Sequence, residues 1–86
     1  MTKHCKIYFD FFGYGMDDTI MCTVCSKIAC DIHHVHPKGM GGSKYADRID
    51  NLIAVCRSCH NDAHASILTK EQLTYLQQQK IEQHGK

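Results

Sequence analysis

Two Cys-x2-Cys pairs, Cys22/Cys25 and Cys56/Cys59, stand thirty residues apart in a chain of 86, and no other feature narrows the possible folds as much. Each pair can present two thiolates from one tight turn, and two pairs complete the four soft ligands of a closed tetrahedral zinc site. Buried free cysteines would not repeat one spacing. Disulfides are disfavoured because the opening MTKHCKIYFD lacks the apolar run of a signal peptide, and the cytoplasm then expected for the chain keeps thiols reduced. With three Phe, four Tyr and no Trp, so short a chain buries little apolar surface, and a metal crosslink is expected to carry much of its stability. Cys5 and Cys30 are left over and are expected to be small core residues rather than further ligands.

The rest of the chain fits one domain, residues 1–86, around a core motif spanning 22–64. Ile7, Phe9 and Phe11 alternate with Lys6, Tyr8 and Asp10, which predicts a flanking strand over 5–12. Gly13 to Asp18 predicts a turn. Short strands are expected at Asp31–Val35, closed by Pro37, and at Asn51–Val55, separated by the glycine-rich loop Lys38-Gly39-Met40-Gly41-Gly42-Ser43. A helix is expected over Arg57–Ala65. Thr69-Lys70-Glu71-Gln72 reads as a capping box opening a last helix over about 69–84, with Leu73, Leu76 and Ile81 on a thin apolar stripe and Gly85 past its end. The fold class is therefore α+β. No run approaches the roughly 18 apolar residues of a membrane span, so no membrane association is expected. The formal charge of +1 argues neither for nor against nucleic acid. Residues 27–57 are mildly basic, with Lys27, Lys38, Lys44, Arg48 and Arg57 against Asp31, Asp47 and Asp50. That balance permits phosphate contacts at Lys38, Lys44, Arg48 and Arg57.

Five of the seven histidines fall within residues 33–64. His60 and His64 are four apart, so on a helix they share one face and can share one cation. His33 and His34 end the first short strand, and His36 follows on the same side as His34. Neutral imidazole ligates divalent metals, and an uncoordinated one titrates near neutrality and can act as a base.

In that order, Asp31-Ile32-His33-His34-Val35, the glycine loop, Asp50-Asn51-Leu52-Ile53-Ala54-Val55 and Cys56-Arg57-Ser58-Cys59-His60-Asn61-Asp62-Ala63-His64 resemble an HNH endonuclease. The resemblance covers residues 22–64 and implies the ββα-metal (His-Me finger) fold, with a structural zinc knuckle pair and a C-terminal helix. The His, Asn and His of the family name correspond to His34, Asn51 and His60. By resemblance His34 is the general base that activates water, and Asn51 holds the loop so that the base points correctly. His33 and His60 ligate a catalytic divalent metal, and His64 either joins them or contacts phosphate. A base of near-neutral pKa adds about 10²–10⁴-fold to phosphodiester hydrolysis, while one metal offsets charge on the phosphoryl group and the leaving oxygen.

The implied function is metal-dependent hydrolysis of DNA phosphodiester bonds, giving 5′ phosphate and 3′ hydroxyl ends. Structural Zn²⁺ and one of Mg²⁺, Mn²⁺, Co²⁺ or Ni²⁺ are the implied cofactors. A non-catalytic zinc ribbon binding nucleic acid or protein would account for the cysteines but leave His33, His34 and Asn51 as accidents. Small free-standing members of the family are often phage or mobile-element proteins. A bacterial cytoplasm, a homodimer through the last helix, or a phage packaging or replication partner follow as expectations from that resemblance alone.

Overall fold

The structure, a computed structural model, describes residues 2–15, 17–36 and 47–85. The glycine loop with Lys38 and Lys44 lies outside these residues. Among the described residues five elements order the chain: helix α1 (Lys3–Phe12), strand β1 (Asp31–His34), strand β2 (Leu52–Val55), helix α2 (Arg57–His64) and helix α3 (Lys70–His84). One turn of 3₁₀ helix, Ile49–Asn51, leads into β2.

The first element corrects the sequence expectation: residues 3–12 are a helix, not the strand expected over 5–12. Thr2 caps it by accepting a hydrogen bond from the Cys5 N–H. Gly13 ends it in the left-handed region at φ 73°, a conformation that costs glycine nothing. Between these stops Tyr8 and Phe12, one helical turn apart, are buried, and Lys6 pairs with Asp10 at 3.1 Å on the exposed face. The two-residue alternation of aromatics is real in the sequence, but Phe11 remains exposed. Helical spacing is the one that buries apolar area.

β1 and β2 form an antiparallel pair with Asp31 opposite Val55, Ile32 opposite Ala54, His33 opposite Ile53 and His34 opposite Leu52. All four residues of β2 are buried, because both of its faces are covered. Ile53 and Val55 point into a cluster with Cys22, Val35, Cys56, Cys59 and Leu73. Leu52 and Ala54 point the other way, into a cluster with Tyr8, Phe12, Ile20 and Ile32. This period of two makes the small sheet the wall between two half-cores.

The first cysteine knuckle is hung on that wall. The Thr23 N–H donates to the Ala54 carbonyl and the Cys30 N–H to the Val55 carbonyl, both at 2.9 Å. Within the knuckle the Ser26 N–H donates to the Cys22 carbonyl at 2.9 Å, with Ser26 in the left-handed region. Thr69 caps α3 with the reciprocal bonds to Gln72 that the sequence predicts. Its buried stripe carries Leu73 and also Gln77, whose Nε2 donates to the Ile49 carbonyl at 2.9 Å. Leu76 packs partly buried on one half-core and Ile81 on the other. Among the described residues no helix is long and apolar enough to cross a membrane.

Candidate metal centres and active site

α2 begins at a cysteine. Cys56 is its N-cap, its sulfur accepting from the Cys59 N–H at 3.5 Å. The first knuckle brings Cys25 to the same place, with Sγ 3.5 Å from Cys56 Sγ. The sulfurs of Cys22, Cys25, Cys56 and Cys59 all lie within 4.8 Å of one another. Four sulfurs about 2.3 Å from a central zinc would stand roughly 3.8 Å apart, so the cluster fits the tetrahedron with little adjustment. Its electrostatics also fit a cation. The Cys59 N–H lowers the Cys56 thiol to about 7, while burial and the neighbouring thiols push Cys59 well above its ordinary value. Four such groups cannot all ionise together without a positive ion among them. Of the leftover cysteines, Cys5 is half-buried, but Cys30 is exposed, which corrects the expectation that it packs in the core. It lies just before β1, which begins at Asp31.

The alternation of β1 separates the paired histidines. His33 turns toward α2, whose His60 and His64 lie one turn apart on the near face. The His33 ring centroid is 5.0 Å from that of His60 and 5.6 Å from that of His64. The Nε2 atoms of His60 and His64 approach to 3.1 Å, and one nitrogen from each of the three rings lies within 4.8 Å of the others. Asp31 Oδ2 stands 3.6 Å from His60 Nδ1, which biases that ring to turn Nε2 toward the cluster. Burial, together with the like charge that His60 and His64 would carry, pulls His33 down to about 4. Its ring is therefore neutral at ordinary pH and offers a lone pair. Three imidazoles make an incomplete shell that leaves positions for oxygen ligands, which is the donor set of an exchangeable divalent ion.

His34 turns the opposite way. Its Nε2 lies 2.9 Å from Asp47 Oδ1, with both side chains mostly buried. In the tautomer that makes this hydrogen bond, Nε2 carries the proton and Nδ1 a lone pair. Next to it Asn51, 8% exposed, accepts from the His36 N–H at 2.8 Å and donates to the His36 carbonyl at 3.0 Å. Asn51 thereby replaces the ladder that β1 loses where it ends, and it sits in the 3₁₀ turn rather than at the head of β2 as the sequence suggested. His36 itself lies past the strand with its side chain exposed. Arg48 and Arg57 are exposed, and Arg48 reaches Asp50 at 3.3 Å. Sequence reading did not single out Asp47, thirteen residues after its partner, or His4, whose ring packs on His34 at 4.5 Å. Neither carries a local signal, since only the fold brings them to His34.

Two antiparallel strands, a following helix, a four-thiol cluster and a histidine cluster on that helix define a ββα-metal fold. The family model for the HNH endonuclease matches residues 22–66, just over half of the chain, and the chain belongs to that family. It is also similar to the type IV methyl-directed restriction enzyme EcoKMcrA of Escherichia coli (strain K12). The two are 41% identical over 46 residues, 54% of this chain but 16% of that enzyme. No solved structure matches the chain.

Proposed function

We propose that the chain is a metal-dependent endonuclease that hydrolyses DNA phosphodiester bonds with His34 as general base. The observation that carries this reading is the splay of His33 and His34 from adjacent positions of β1. One joins a cluster of three metal-ligating imidazoles, and the other pairs with Asp47. In-line displacement asks for such a split, because proton removal and leaving-group stabilisation occur on opposite sides of the phosphorus. In the proposed step a water oxygen attacks phosphorus and gives its proton to His34 Nδ1. The bond to the 3′ oxygen breaks, leaving a 5′ phosphate and, after protonation, a 3′ hydroxyl. Asp47 holds the ring through Nε2 and stabilises the imidazolium that forms. Asn51 fixes the backbone on which the base is mounted. His33, His60 and His64 would hold the divalent cation, which supplies charge neutralisation at the phosphoryl group and the departing oxygen. Cys22, Cys25, Cys56 and Cys59 would hold structural zinc. A non-catalytic zinc ribbon would use the thiols and leave the His34–Asp47 pair without a role.

Supercoiled plasmid titrated with Mn²⁺ tests the assignment of the exchangeable ion. EDTA at a concentration too mild to strip four thiolates should stop cleavage reversibly. His60→Ala should need more Mn²⁺ for half-maximal cleavage, by more than the roughly 10–100-fold that loss of an outer partner of a metal ligand costs, and recover at high metal. His64→Ala should shift it less. Full activity in EDTA, or equal Mn²⁺ dependence in wild type and His60→Ala, would contradict the assignment of the exchangeable ion to these histidines, whereas no cleavage with any metal would favour the zinc-ribbon reading.

A further inference from the structure

The segment that precedes the family motif places a second imidazole against the candidate base. His4 lies in the first turn of α1, half-buried, and its ring is tilted 55° to that of His34 at a centroid separation of 4.5 Å. Donor atoms of His4, His34 and Asp47 all lie within 4.8 Å of one another. The three come from separate elements, each anchored on its own account. α1 is fixed by buried Tyr8 and Phe12, His34 by the sheet register, and Asp47 stands just ahead of the 3₁₀ turn whose Ile49 carbonyl receives Gln77.

We propose that His4, His34 and Asp47 form a second exchangeable site for a first-row transition ion, Zn²⁺ above all, and that filling it silences the base. Two imidazoles and one carboxylate form a mixed nitrogen and oxygen set that selects zinc, copper or nickel over magnesium. Ligand atoms about 2.0 Å from a tetrahedral ion stand roughly 3.3 Å apart, a contraction that side-chain rotation supplies without moving α1 or the sheet. The carboxylate offsets part of the ion's charge, in contrast to the all-imidazole cluster of His33, His60 and His64.

The silencing follows from proton placement on one ring. The His34 nitrogen facing Asp47 is Nε2, at 2.9 Å. While Nε2–H donates to Asp47, Nδ1 has the lone pair that a base needs. A cation taken up at Nε2 requires that nitrogen's lone pair, so the ring's single proton moves to Nδ1 through solvent. The ring stays neutral and gains no proton, but Nδ1 can no longer accept one. Free zinc would thus act as a brake, released when zinc is scarce. The brake rests on the nuclease reading above; the site itself does not.

The test counts ions separately from activity. Protein with its thiolate-held zinc intact is stripped of exchangeable metal and titrated with Zn²⁺ against a chromophoric chelator. Wild type should bind two further ions, while His4→Ala and His4→Gln should each bind one, with unchanged melting. In Mn²⁺-supported plasmid cleavage, the Zn²⁺ giving half-inhibition, referred to each protein's own zinc-free rate, should rise by about tenfold or more in both His4 variants. Equal zinc counts and equal inhibition in wild type and both variants overturn the proposal. Loss of one zinc with no cleavage by any protein, wild type included, keeps the site, overturns the brake and removes the nuclease reading with it.

Discussion

Asn51 shows how much one side chain can hold. Its amide makes two bonds to the backbone of His36, and its own carbonyl receives the Val35 N–H at 2.9 Å. The segment just beyond the candidate base is thereby tied to the turn that opens β2. Replacing Asn51 with Ala removes the partners of the part-buried His36 N–H and C=O and should cost roughly 1 kcal/mol of stability. If the amide also aims His34, cleavage should fall well beyond any loss of folded protein. Urea melts and plasmid cleavage at one temperature, where the variant remains folded, separate the two effects. Cleavage within a factor of about two of wild type would leave Asn51 a purely structural role, since general-base alignment is worth far more. At this scale the sequence was most legible where ligands are local. Paired Cys-x2-Cys and the i, i+4 histidines state their grouping by spacing alone. Asp47 and His4 reach His34 only through the fold, and no short-range pattern announces them.

Among the elements, α2 was legible because its start is marked twice, by the knuckle cysteines and by the change from β-branched residues to polar ones. α3 was legible through its capping box. α1 was not, because the stretch from Cys5 to Phe12 supports two periodicities and the deciding features sit outside it, in the Thr2 cap and the left-handed Gly13. Gln77 was also hidden: within Gln77-Gln78-Gln79 nothing local distinguishes the one glutamine that is fully buried. The element pairing that matters most for stability is the first knuckle with α2. The knuckle and Cys30 beyond it already donate a backbone bond each to β2, but four clustered thiols would repel once ionised. Zinc binding of this kind is worth of order 10 kcal/mol in small modules. Cys56→Ser, or extraction of the ion by a strong chelator, should therefore unfold residues 22–64. Loss of the cooperative melt and of the near-UV signal would show it. A metal-free chain that keeps both would mean that the two half-cores suffice.

Across the whole molecule, the two-stranded sheet divides labour. One half-core contains Cys22, Cys56 and Cys59 with Leu73 of α3, and the other contains Tyr8 and Phe12 of α1. The candidate metal ligands His33, His60 and His64 gather where β1 and α2 meet, and His34 lies on the other side, against α1 and Asp47. α2 connects the two candidate metal centres, since the helix that starts at Cys56 and Cys59 carries His60 and His64 along its next turn. A structural ion would hold the catalytic ligands in register without touching substrate. The 41% identity to EcoKMcrA covers 46 residues and 16% of that enzyme. The central claim is that His34, oriented by Asp47, removes the proton from the attacking water. The measurement that tests it most directly is single-turnover cleavage of supercoiled plasmid by His34→Ala beside wild type, with zinc content, melting and DNA affinity taken on the same samples. The rate should fall by about 10²–10⁴-fold while the other three quantities stay near wild type, because a base acts on the transition state rather than on binding. Cleavage by His34→Ala within a few-fold of wild type would contradict the account.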